Sequence, residues 1–153
     1  MKHLMFISAV LVSLFLDFGD ISAQSADRLV KEIRTAAADA CVKVSYTFKA
    51  EVDDVSVSDI GYVEAQDDMW HLKGDAYEIF TDGKATWILD PSSKEAVVEP
   101  SWTYDDLENF YLSMEASGSV FDISIESIDE GPKKSLSYFT PVLDSEWVVT
   151  DLR

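Results

Sequence analysis

The chain is poor in cysteine, histidine and positive charge. Its 153 residues include one cysteine, Cys41, and two histidines, His3 and His71, and 12 Lys+Arg stand against 29 Asp+Glu. A single cysteine excludes an intrachain disulfide, so the fold must rest on packing alone. Two histidines leave no partner set for a Ser-His-Asp or Cys-His nucleophile. A formal charge of −17 at pH 7 argues against DNA, RNA or an anionic membrane surface as a partner, and favours solubility and basic docking partners. The carboxylate pairs Asp53-Asp54, Asp67-Asp68 and Asp105-Asp106 lack the glycine and ligand spacing of a calcium loop. They read as solvated charge at turns or on a wet helix face. Carboxylates can still meet in space, as in a hydrolase, without being neighbours in sequence. No cofactor or metal is expected, and the chain is not read as an enzyme.

Long hydrophobic runs are scarce too. The one at the N-terminus, Leu4 to Leu16, follows Lys2 and His3 and precedes Asp17, Gly19 and the small-residue site Ile21-Ser22-Ala23. It falls short of the ~20 apolar residues that span a bilayer, so a secretory signal peptide, residues 1–23, is preferred to a membrane anchor. No cysteine stands at the cleavage point to take a lipid. The expected mature protein, residues 24–153, is a soluble monomer of one domain, periplasmic in a Gram-negative cell. Lys2, Asp17 and Asp20 leave with the leader, so it keeps nearly all of the negative charge.

From Ser25 to Cys41 the apolar residues Ala26, Leu29, Val30, Ile33, Ala36, Ala37 and Ala40 fall at helical spacing, with Ser25 as an N-cap. Cys41 extends that stripe as a buried structural thiol. The period then changes to two: Val42, Val44, Tyr46, Phe48 and Ala50 alternate with Lys43, Ser45, Thr47, Lys49 and Glu51. After the Asp53-Asp54 turn come strands at Val55 to Ala65, Met69 to Lys73, Tyr77 to Thr81, Lys84 to Leu89 and Glu95 to Glu99. The pauses between them are hairpin-sized, with Asp82-Gly83 supplying a positive-φ turn. A second helix is expected from about Tyr104 to Ala116, with Leu107, Phe110, Tyr111 and Met114 on its apolar stripe. Three more strands follow, at Val120 to Ile128, Leu136 to Val142 and Trp147 to Leu152.

These elements make a mainly β protein of about nine antiparallel strands and two helices. So little helix cannot cover both faces of one flat sheet, which must therefore close, stack or coil into a half-barrel. A coiled sheet with helices laid on its concave side makes an aromatic-lined apolar slot suited to lipid. The lining residues expected are Tyr46, Phe48, Trp70, Leu72, Phe80, Trp87 and Leu89 from the sheet, with Leu107, Phe110, Tyr111 and Met114 from the second helix. The competing view is that the same residues form an ordinary dry core. His71 is read as a satisfied or exposed structural histidine.

Gly61-Tyr62-Val63, Leu72-Lys73-Gly74-Asp75, Tyr77-Glu78-Ile79, Asp82-Gly83-Lys84 with Trp87, and Lys94-Glu95-Ala96-Val97-Val98 together resemble the core of the periplasmic outer-membrane lipoprotein carrier family (LolA-like). Val149-Thr150-Asp151-Leu152-Arg153 is similar to the end of short members of the Bacteroides type. The resemblance covers the whole expected mature chain. It implies an incomplete, half-open β-barrel with helices packed into the concave side, and a cavity that shields the acyl chains of lipoproteins between inner and outer membrane. It implies as partners acylated lipoproteins or lipid, an inner-membrane ABC transporter that releases the cargo, and an outer-membrane acceptor. Where many members carry an Arg-Pro pair before the third strand, with the arginine helping to hold the helical lid, this chain has Gln66-Asp67-Asp68-Met69-Trp70. A periplasmic lipid-sensing or protein-interaction domain sharing the same sheet is the alternative.

Overall fold

The computed structural model describes residue 31 and residues 33–52, 55–106 and 120–153. The expected leader, the Ser25 cap, the Asp53-Asp54 turn and the second helix beyond residue 106, with Leu107, Phe110, Tyr111 and Met114, lie outside the described residues.

Residues 33–39 form helix α1, where three consecutive alanines supply the highest helix propensity. Ile33 and Ala37, one turn apart, are 4 % and 0 % exposed and make the buried stripe that the spacing predicts. After a bend at Ala40 the β-branched Val42 and Val44 take over and the chain enters the sheet. The strands are β1 Cys41–Val52, β2 Val55–Gln66, β3 Met69–Lys73, β4 Glu78–Thr81, β5 Ala85–Asp90, β6 Glu95–Pro100, β7 Val120–Gly131 and β8 Val148–Asp151. They form one open eight-stranded sheet in the order β7-β1-β2-β3-β4-β5-β6-β8.

The β1 to β6 meander and the turns from Asp67 onward follow the sequence reading. Gly83 has φ 83, and the Asp82 carboxylate accepts the amides of Lys84 at 2.8 Å and Ala85 at 3.0 Å. Asp90 likewise accepts Ser92 and Ser93 amides ahead of β6, the side-chain mimicry that suits Asp to turns. Its carboxyl is held below the usual range by those bonds, the Ser92 hydroxyl first.

Two expectations are corrected. Leu136 to Val142 is no strand: Leu136–Phe139 is a short 3-10 helix, closed by Tyr138 N–H to Ser135 and Thr140 N–H to Ser137. Only Phe139 of this segment is fully buried, at 0 %, while Leu136 is 69 % exposed, so its apolar residues do not serve two sheet faces. The sheet is also not wholly antiparallel, because β8 runs parallel to β6. The chain reaches β8 from β7, at the far edge, by crossing one face of the sheet. Residues 132–147 form that crossing strap: Lys134 bonds to Gln66 of β2, Tyr138 to His71 of β3, and Leu143 and Trp147 pack on Phe80, Leu89 and Ala96.

Strand register sorts the side chains onto two faces. The helix face carries Val42, Val44, Tyr46, Val63, Ala65, Trp70, Leu72, Ile79, Thr81, Thr86 and Ile88, each 5 % exposed or less. The strap face carries Cys41, Glu64, Gln66, Met69, His71, Phe80, Leu89, Ala96 and Val98, all buried.

Candidate functional site

The helix face is largely apolar over five strands, with Asp59, Thr81 and Thr86 as its buried polar side chains. Its overlying elements meet at Trp70. Tyr104, in the helical turn 104–106, sets its ring edge-on to Trp70, with centroids 4.9 Å apart and planes at 72°. Arg34 of α1 lies over the Tyr104 ring, its guanidinium carbon 5.3 Å from the ring centroid, and its Nη1 is 3.9 Å from the Asp105 carboxylate. Burial pushes the Tyr104 hydroxyl above its ordinary pKa, and that hydroxyl donates to the Asp67 carbonyl at 3.1 Å. Trp70 Nε1 is buried with no hydrogen-bond partner among the described residues.

At the other end of this face the Tyr46 hydroxyl donates to Asp59 Oδ2 at 2.7 Å, and Asp59 Oδ1 accepts the Asp75 amide at 2.7 Å. Burial, then the Asp59 charge, drives the Tyr46 pKa far upward, so the phenol keeps its proton and goes on donating it. Two glycines make room for it. A Cβ on Gly61 would stand 2.2 Å from the Lys73 carbonyl oxygen and 2.9 Å from the Tyr46 hydroxyl, and one on Gly74 would stand 2.4 Å from Asp59 Oδ2. Gly61-Tyr62 and Gly74-Asp75 are therefore explained by close packing around a buried polar pair.

The structure divides the expected lining residues. Tyr46, Trp70 and Leu72 lie together on the helix face. Phe48 pairs with Asp59 in the same ladder, and its side chain lies outside what is described. Phe80, Trp87 and Leu89 are turned to the strap face, where Leu143 and Trp147 cover them. They cannot share a cavity with Trp70, because neighbouring residues in a strand point to opposite sides. Both faces of β3 to β5 carry buried apolar residues, so alternation in the sequence could not assign them.

The strap face holds a buried polar network that the sequence did not announce. His71 is 6 % exposed; its Nε2 is 2.7 Å from Glu78 Oε1 and its Nδ1 is 3.1 Å from the Tyr138 hydroxyl. The Tyr138 hydroxyl donates to Glu64 Oε2, and Lys134 Nζ donates to Glu64 Oε1 at 2.7 Å while lying 4.0 Å from the Tyr138 ring centroid. The His71 ring stacks on Phe80 at 4.2 Å. Burial lowers the His71 pKa against the pull of Glu78 and Glu64. Burial favours the neutral form of Glu64, but the Lys134 and Tyr138 bonds outweigh it and hold the carboxyl below its usual range. Burial and the Glu64 bond drive Tyr138 upward, and burial raises the Cys41 thiol. Both His71 nitrogens thus face protein groups, and of the satisfied or exposed structural histidine read from the sequence the ring is the buried kind. The one sequence signal was Glu64 and Gln66 alternating with Val63 and Ala65.

No family model matches the chain, and no match is found among curated proteins.

Proposed function

We propose that the protein is a periplasmic carrier that shields the acyl chains of lipoproteins during transfer from the inner to the outer membrane. The observation that carries this reading is the helix face of β1 to β5. It is continuous and largely apolar, with Asp59, Thr81 and Thr86 as its buried polar side chains, and its helical cover gathers at Trp70. The open sheet is proposed to curve as an incomplete β-barrel with α1 and the second helix in its concave side. Tyr46, Phe48, Trp70 and Leu72 would line the cavity, joined by Leu107, Phe110, Tyr111 and Met114. Phe80, Trp87 and Leu89 are left out, because they are packed under the strap.

The energetic need is plain. At ~0.8 kcal/mol per buried CH₂, a long acyl chain exposed to water costs on the order of 10 kcal/mol. A pocket that hides it needs apolar wall and few polar groups, and no catalytic group is asked for. Cargo would arrive from an inner-membrane ABC transporter and leave to an outer-membrane acceptor. The resemblance of the quoted sequence segments to the carrier family supports the same assignment.

The test is quenching of tryptophan fluorescence by a brominated acyl chain, using a variant that keeps Trp70 and carries phenylalanine at positions 87, 102 and 147. Saturable quenching is expected. A folded variant showing none would remove the helix face as the cargo site.

A further inference from the structure

We propose that the C-terminal strap controls the helical elements on the opposite face of the sheet, and that the control passes through Asp67. This residue opens the two-residue turn between β2 and β3 and has φ 53, the left-handed conformation that such a turn calls for and that Asp adopts more readily than most residues. Three elements hold it. Its amide donates to the Ala37 carbonyl of α1 at 2.7 Å, its carbonyl accepts the Tyr104 hydroxyl at 3.1 Å, and its carboxylate accepts Lys133 Nζ of the strap at 2.9 Å.

The first two contacts belong to the helix face and the third to the strap. The Ala37 contact satisfies one of the carbonyls that the end of a helix leaves without an internal partner. The Lys133 contact is reinforced by its neighbour: the Gln66 side chain donates to the Lys134 carbonyl at 3.0 Å and accepts the Lys134 amide at 2.7 Å, and Lys134 Nζ is bound to Glu64. Two successive strap lysines therefore grip the turn that aims a backbone amide at α1 and a backbone carbonyl at Tyr104. Releasing Lys133 unties the Asp67 side chain from the strap, and the turn holds the end of α1 and Tyr104 less firmly while keeping its hairpin geometry. Coupling of this kind needs a physical link between the two elements, and here it is one residue long. The coupling stands independently of cargo; its consequence, easier access to the helix face, rests on the carrier reading.

The test is hydrogen exchange of the amides of residues 37–40 in the full chain. The Lys133–Asp67 pair is partly exposed, 40 % and 47 %, so its effect is modest, and about threefold faster exchange is expected in Lys133→Ala and in Asp67→Asn. Asparagine tolerates positive φ, so the second variant removes the charge and leaves the turn geometry. The double variant should exchange no faster than either single one, because both remove the same contact. Lys133→Arg should behave as the unaltered chain, and so should Lys94→Ala, which loses an ion pair with Glu146 elsewhere. Unchanged exchange at 37–40 with faster exchange at 133–139 would overturn the proposal, as would additive effects in the double variant. Capture of an acyl probe is read separately: a chain that shows the coupling and takes no probe overturns the carrier reading alone.

Discussion

Tyr138 of the strap donates its only hydroxyl proton to Glu64 of β2, 74 residues away in sequence, and its oxygen also lies 3.1 Å from His71 Nδ1. With the imidazole neutral and Nε2–H donating to Glu78, that one proton faces two acceptors, Glu64 and His71. The contact fixes the strap across the sheet. Tyr138→Phe deprives a buried carboxylate of a donor, and a loss of about 1–3 kcal/mol is expected, measured by urea denaturation. A loss below about 0.5 kcal/mol would mean that Lys134 alone satisfies Glu64.

The same network sets the pH dependence. Burial lowers the His71 pKa in the folded protein, so as pH falls the unfolded chain takes up its proton first, near the ordinary value of about 6.5. The contribution of a neutral His71 is thus whole above that value and is lost as pH falls below it, through the lowered folded pKa. Glu64, also lowered, adds a loss of the same sign in the carboxylate range. Unfolding free energy should fall from pH 7.5 to 5.5, and His71→Gln should flatten that slope. NMR titration giving a His71 pKa above 6.5 in the folded chain would reverse the sign.

Gly61 and Gly83 should respond differently to alanine. At Gly61 the new methyl group meets a backbone carbonyl oxygen at 2.2 Å, which cannot move without parting β2 from β3, so a loss of about 2 kcal/mol or more is expected. Gly83 has open space around it and φ +83, so the cost is conformational, about 1 kcal/mol. Thermal unfolding of the two variants checks the order.

Trp87→Ala should separate stability from cargo. Trp87 packs against Phe80, Leu89 and Ala96 with Leu143 and Trp147, so truncation should lower stability by about 2–4 kcal/mol. Capture of an acyl probe at low temperature should stay within about twofold of the unaltered chain, because the ring faces the strap. A selective loss of capture with stability intact would relocate the cargo to that face.

The meander from Val42 to Glu99 was legible because local rules govern it: alternation in β1, Asp82-Gly83 and the Asp90 turn each act within a few residues. The path after Gly131 was not. Its placement depends on Lys134, Tyr138 and Phe139 reaching Glu64, His71, Cys41 and Met69, contacts that no local periodicity encodes. An apolar stretch such as Leu136 to Phe139 reads equally well as a strand or as a strap. The face that each expected lining residue takes was not legible, for a similar reason. Trp70, Leu72, Phe80, Trp87 and Leu89 are all apolar and mostly buried, and only the register of β3 against β4 and β5 assigns them to faces.

The most direct test of the central claim is native mass spectrometry of the protein purified from its own cells, with lipid extraction of the same sample. The account predicts a bound acylated polypeptide or lipid that Phe110→Asp reduces. An empty protein that also takes up no fluorescent acyl probe would contradict it, and the helix face would then be a dry core.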